Sequence, residues 1–264
     1  MVLSGLAPAR RRLVLVLCAA VLTVGVALGA VGLLRALSSS DPAAQDTLGP
    51  IIVVTGYGGG SEALEPLVAR MRDEGRVVEV FPGVGDNTGD LNEQARELDT
   101  FVDDVRTDTS ATSVDLIGFS AGGVVARLWV AELGGEALTR RVVTIASPHH
   151  GTILSSLASE IGMCPDACEQ LRPDSDVLRD LNAGDETPAG PEWITFRSDS
   201  DRTVTPSTSA DLEGALNIGV QQFCPEATTG HLQLPSSPVV LTTLPLVLDT
   251  GAPAAPAEGS IGCG

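Results

Sequence analysis

Hydrophobic and polar positions follow two alternating periods along this chain. Short apolar runs at Ile51–Val54 (IIVV), Val77–Phe81 (VVEVF), Val114–Ile117 (VDLI), Val142–Ala146 (VVTIA) and Trp193–Phe196 (WITF) read as strands. Such near-continuous runs are expected of strands buried on both faces. A sixth strand is predicted over Leu216–Phe223 (LNIGVQQF). Between the strands the period lengthens to 3.6 residues. Asp90 can cap a helix whose face carries Leu91, Ala95, Leu98, Val102 and Val105. A second helix after Ser120 carries Val124, Val125, Leu128 and Leu133, and a last one is expected from about Ser237 to Leu248.

Strands alternating with helices predict an α/β fold, with a mostly parallel central sheet and helices on both faces. The core domain is read as residues 50–249. Residues 151–191, between the fourth and fifth strands, are too long for a plain connection and read as a small flap or cap. Residues 38–49 are small and polar and form a linker. The tail from 250 to 264 is expected to be extended and mobile, pinned only if Cys263 is paired.

The first 37 residues are of a different kind. Arg10, Arg11 and Arg12 precede an uncharged run of 22 residues, Leu13 to Leu34, which Arg35 ends. The arginines should stay in the cytoplasm while the rest crosses. A cleaved signal has an apolar stretch of about 7–15 residues, whereas a bilayer span needs about 20. The run therefore favours an uncleaved membrane anchor over a signal peptide, with Ala36-Leu37-Ser38 as the alternative cleavage site. The lack of a polar face speaks against the alternative of a buried core helix.

Charge narrows the partners. The formal net charge is −18, and every basic residue is an arginine. With four arginines in the first 35 residues and all acids later, the remaining 12 arginines against 34 acids leave −22 on the body. Such a body repels nucleic acid and anionic lipid. If the chain is exported, its cysteines matter. Cys18 lies early in the apolar run and reads as inert. The other four, Cys164, Cys168, Cys224 and Cys263, suit two disulfides in an oxidising compartment. The neighbours in CPDAC would pair with each other, leaving Cys224 for Cys263. A zinc site competes, but the second close pair of ligands it needs is missing.

Candidate chemistry centres on Gly118-Phe119-Ser120-Ala121-Gly122. Right after a strand and at the start of a helix, a G-x-S-x-G segment makes a sharp turn that lifts the serine hydroxyl out of the sheet. The alternative is a Gly-rich turn whose serine merely caps the helix. A serine nucleophile needs a base oriented by an acid, and in this architecture the acid precedes the base along the chain. His149 and His150 come too early. His231, in TTGHLQL, is placed correctly, with an ordinary loop histidine as the alternative. The loop after the fifth strand offers Asp199 and Asp201. Asp201 is preferred because Val204, three positions on, can anchor the loop, while Asp199 stays open. Asp115, at the entry of the nucleophile strand, reads as structural.

Ester attack places negative charge on the carbonyl oxygen, which preorganised backbone amides can stabilise. The glycine loop in VVTGYGGGS (Val53–Ser61) can supply one such amide and Ala121 the other. A dinucleotide fingerprint is the rival reading, but this loop does not keep the G-x-G-x-x-G register.

With these residues in hand, the chain resembles the α/β-hydrolase serine esterases, and among them the small triacylglycerol lipases of actinobacteria. The resemblance rests on TGYGGG, GFSAGG, SPHHGT (Ser147–Thr152), DSDRTV and GHLQL, and spans roughly Pro50 to Asp249. It implies Ser120 as nucleophile, Asp201 as acid, His231 as base, and an oxyanion hole from the amides of Tyr57 and Ala121. His149 and His150 would help position the loop beside the nucleophile; the preferred alternative is local hydrogen bonding without any chemical role. One departure is that many relatives carry His-Gly where this chain has Thr55-Gly56. The implied function is an exported hydrolase of acyl or lipid esters, without a metal or organic cofactor. A cell-envelope acyltransferase or thioesterase using the same triad is an alternative, as is a tethered protein without chemistry.

Overall fold

The computed structural model describes residues 42–257 and 259–263, together with Leu17. The anchor-or-signal reading of residues 1–37, including Cys18, thus lies outside the described residues, Leu17 aside. Among the described residues no helix is long and apolar enough to cross a membrane.

Six strands form one sheet: β1 (Ile51–Val54), β2 (Val78–Phe81), β3 (Val114–Phe119), β4 (Thr139–Ile145), β5 (Glu192–Arg197) and β6 (Leu216–Gly219). Their order is β2-β1-β3-β4-β5-β6, and every neighbouring pair is parallel. The connections carry helices α1 (Glu65–Asp73), α2 (Leu91–Thr109) and α3 (Ala121–Glu132), then α4 (Ile153–Glu160), α5 (Asp166–Gln170) and α6 (Asp176–Leu181) in the insert. α7 (Val220–Phe223) and α8 (Pro238–Val247) follow β6.

The period-2 geometry of a strand sends successive side chains to opposite faces, and each face of β1 has its own cover. Ile51 and Val53 pack with Leu67 and Met71 of α1 and Val240 and Leu244 of α8. Ile52 and Val54 pack with Leu98 and Val102 of α2 and Val124 and Leu128 of α3. Two burial layers on the strands explain their near-continuous apolar sequence. The order in which strands are added across the sheet reverses at β1: β2 lies on one side of it, and β3, the next in sequence, on the other. In such sheets the crevice at the carboxyl ends beside that reversal is where ligands bind.

α2 begins as expected, with Asp90 accepting the amide of Glu93 at 2.9 Å. Two expectations need correction. The sixth strand stops at Gly219 and Val220–Phe223 winds into a helical turn. Val220 and Cys224, four residues apart, both pack into the core, a spacing that a helical turn satisfies. Leu133 is not on the buried face of α3 but half-exposed just past its end, where Gly134 turns left-handed; Trp129 fills the core instead. α1 is a further helix, beyond the elements that the apolar periods above mark out.

The insert folds into three short helices, and Cys164 is bonded to Cys168 there. Cys224 is bonded to Cys263. The described residues of the tail have no regular secondary structure, yet the tail is pinned by this bond and by Ile261, which joins the hydrophobic core. All four cysteines are consumed, so the zinc alternative falls. Asp115 is structural, as expected: its Oδ2 accepts from Arg140 and Arg76, each at 2.6 Å, in the interior. Arg140 also holds the carbonyls of Leu248 and Asp249 past the end of α8.

Candidate active site

Ser120 sits between β3 and α3 with φ 52° and ψ −127°, a left-handed conformation that a non-glycine residue rarely adopts. The bend forces strand and helix close together. A Cβ on Gly118 would collide with the backbone of Gly123, and one on Gly122 with the carbonyl of Val54. That is why the serine is flanked by glycines. The Ser120 amide donates to Ile145 O of β4 at 2.9 Å, which ties the elbow to the sheet.

His231 opens a 3-10 turn, His231–Ser236, just after Gly230. Its Nε2 lies 3.0 Å from Ser120 Oγ, and its Nδ1 lies 2.7 Å from Asp201 Oδ2. The ring also packs against Phe119, with centroids 5.1 Å apart. Asp201 is buried, and its Oδ1 accepts the amides of Thr203 at 2.7 Å and Val204 at 3.1 Å. Burial alone would raise the Asp201 carboxyl. The hydrogen bond and charge of His231, with those two amides, outweigh it and hold the group below its ordinary value. An ionised Asp201 can only accept, so Nδ1 carries a proton, and in the neutral imidazole the lone pair of Nε2 then faces the serine hydroxyl.

Asp199 does not join this chain of contacts. It is exposed and pairs with Arg197 and with Ser207 Oγ. His149 is fully buried, with Nε2 3.0 Å from Thr144 Oγ1, and burial first, then the charges of Arg127 and His150, push its pKa well down. His150 meets Glu186 at 2.7 Å. Both histidines are therefore engaged locally, as expected.

Tyr57 and Ser120 line one cavity of about 260 Å³, together with Pro148, Leu154, Met163 and Leu171. Ala121 is the first residue of α3, so its amide has no intrahelical acceptor. The Tyr57 amide donates to no backbone carbonyl among the described residues. A larger recess of about 490 Å³ lies at the amino ends of the strands, near Gly49, Arg76 and Ser113, away from this serine–histidine pair. No cluster of three or more His, Cys, Asp or Glu that could hold a metal is found among the described residues. The lining from the insert (Leu154, Met163, Leu171) and the contacts of Asn87 beneath the glycine loop escaped the sequence reading. The sequence signals were a Gly-rich turn, PGVGDNTG, and unassigned apolar residues in the insert.

An acid, an imidazole and a hydroxyl in hydrogen-bond series, at the mouth of an apolar cavity, is an arrangement able to transfer an acyl group. Similarity to solved structures shows the fold. Lipase B of Aspergillus fumigatus superposes with a TM-score of 0.67 at 17% identity, over 76% of this chain and 52% of its own, so the chain spans about half of that protein. The mature form of lipase BlEst2 of Bacillus licheniformis superposes with a TM-score of 0.60 at 18% identity, over 80% of this chain and 93% of its own. No curated protein matches the sequence significantly. Residues 50–242 match the family described as Lipase (class 2), and because that match covers most of the chain, the protein belongs to the class 2 lipase family and has the α/β-hydrolase fold.

Proposed function

We propose that this chain is an exported serine hydrolase that cleaves carboxylic esters, lipid or other acyl esters, through an acyl-serine intermediate. The observation that carries the proposal is the unbroken series Asp201–His231–Ser120 opening onto an apolar cavity. His231 Nε2 takes the Ser120 proton as Oγ bonds to the ester carbonyl carbon. The amides of Tyr57 and Ala121 receive the charge that develops on the carbonyl oxygen. Collapse breaks the bond to the alcohol oxygen, which leaves with the proton from His231. Water then repeats the sequence, releasing the acid and restoring the serine.

The acyl group occupies the cavity between Tyr57 and the insert. Two disulfides favour an oxidising, extracytoplasmic location, and the first 37 residues are read as the anchor or signal that delivers the chain there. Incubation with a p-nitrophenyl alkylphosphonate tests the proposal. Stoichiometric release of nitrophenol, with the phosphonyl mass mapped to Ser120, is the expected result; no labelling, or labelling elsewhere, would reject it.

A further inference from the structure

Below the glycine loop lies a buried side chain that the mechanism does not use. Asn87 is 1% exposed and left-handed, with φ 57°. Its Nδ2 lies 2.9 Å from Thr55 Oγ1, 3.0 Å from Pro82 O and 3.2 Å from Gly56 O. Thr55 Oγ1 itself donates toward the carbonyls of Pro82 and Phe81, so all three neighbours accept and this end of the amide must be the NH2 group. The other end, Oδ1, is buried with no partner. A buried orphan acceptor is a cost that a turn residue at the surface would avoid.

The three acceptors belong to the ends of β1 and β2, and one of them is the carbonyl of the Gly56–Tyr57 peptide. In a trans peptide the N–H points opposite to the C=O. Holding Gly56 O toward Asn87 therefore turns the Tyr57 N–H away from it. Tyr57 and Ser120 line the same cavity, and a Cβ on Gly56 would sit 3.0 Å from Ser120 Cβ, so loop and elbow are in contact. Gly59 N also donates to Gly56 O at 3.1 Å, closing a turn with Gly58 at φ 83°. That turn is local and flanked by glycine, whereas Asn87 ties it to β2.

We propose that Asn87 is a positioning residue for the oxyanion hole, fixing the Gly56–Tyr57 peptide with its N–H toward the oxygen bound beside Ser120. The proposal rests on the serine-hydrolase reading above. Asn87→Asp keeps the shape and the tolerance of positive φ but replaces the donor with an acceptor facing carbonyls. Asn87→Gly keeps the backbone conformation if the first variant does not fold. Activity is expressed per phosphonate-titrated site and unfolding is followed by circular dichroism. The expected result is a fall in kcat of about 10- to 100-fold, a part of what deleting a whole oxyanion donor costs. KM should stay within about twofold, and Ki for a trifluoromethyl ketone, whose adduct oxygen occupies the hole, should rise by the same factor as kcat falls. Unchanged kcat in a folded variant, or a change in KM alone, would overturn the proposal while leaving the serine reading intact. Full activity of Ser120→Ala would remove both.

Discussion

Asp201 and His231, thirty residues apart and on different loops, meet at 2.7 Å with the carboxylate buried beneath the ring. Two backbone amides occupy the second carboxylate oxygen, so the one facing His231 has a fixed direction. The contact sets the tautomer that leaves Nε2 free to accept from Ser120.

Asp201→Asn removes that selection without changing shape. Its amide can present N–H to Nδ1, stabilising the tautomer with the proton on Nε2. We expect kcat to fall by about 10⁴-fold, the size seen when a triad acid is amidated, with the fold retained. Asp199→Asn, which alters an exposed carboxylate paired with Arg197, should change kcat little. Steady-state kinetics of both variants on one chromogenic ester check this, and equal losses would contradict the assignment.

His149 makes stability depend on pH. Its folded pKa lies well below the ordinary 6.5, because burial and the neighbouring Arg127 and His150 disfavour the charged ring. Below pH 6.5 the unfolded chain therefore binds a proton that the folded one refuses. The stabilisation is complete above about pH 6.5 and is lost as pH falls from there toward the folded pKa, with a slope of up to about 1.4 kcal/mol per pH unit. His149→Gln should flatten the melting profile between about pH 5 and 6.5 relative to the parent protein. Parallel profiles would show that another group is responsible.

Asp115 sits at the other end of β3 from the serine and bonds two arginines, of which Arg140 is wholly buried. Asp115→Ala leaves those guanidinium groups without their counter-ion. The expected loss of stability is about 3–5 kcal/mol, because an uncompensated buried charge is costly. Urea unfolding measures it. kcat and KM of the folded fraction should be unchanged, since this network is remote from the elbow.

A cavity of about 260 Å³ sets an expectation for substrates. It is smaller than most ligand pockets, which run from about 300 to 1,000 Å³. Each methylene that enters should raise kcat/KM by up to about fourfold, from about 0.8 kcal/mol per buried CH2. Across linear acyl esters the rise should therefore stop once the cavity is full, with longer chains gaining little. Ala158→Phe, which narrows the same cavity, should move the break to shorter chains. A continuous rise through long chains in both proteins would contradict this placement.

The elbow was legible because its signal is local: a short glycine–serine segment between a strand pattern and a helix pattern. His231 followed from chain order, and Asp201 from the packing of Val204, which the structure buries. Asn87 was not legible because its partners, Thr55 and Gly56, lie more than thirty residues away and its own surroundings read as a turn. The insert hid its role for a different reason. Leu154 and Met163 face the cavity yet remain exposed, so their apolar pattern matches neither a buried helix nor a solvated one. In β6 the apolar residues continued past Gly219, and only the core position of Cys224 distinguishes a helical turn from a strand. α1 carries a legible face, Leu67, Val68 and Met71, with Gly75 beyond its end.

Ser120→Ala puts the central claim to its most direct test. Turnover of a p-nitrophenyl acyl ester should drop to the background of the oxyanion hole and binding alone, a loss of about 10⁶-fold, while the circular dichroism spectrum and melting temperature stay close to those of the parent. Turnover persisting near the parent rate in the folded variant would mean that the hydroxyl beside His231 is not the nucleophile.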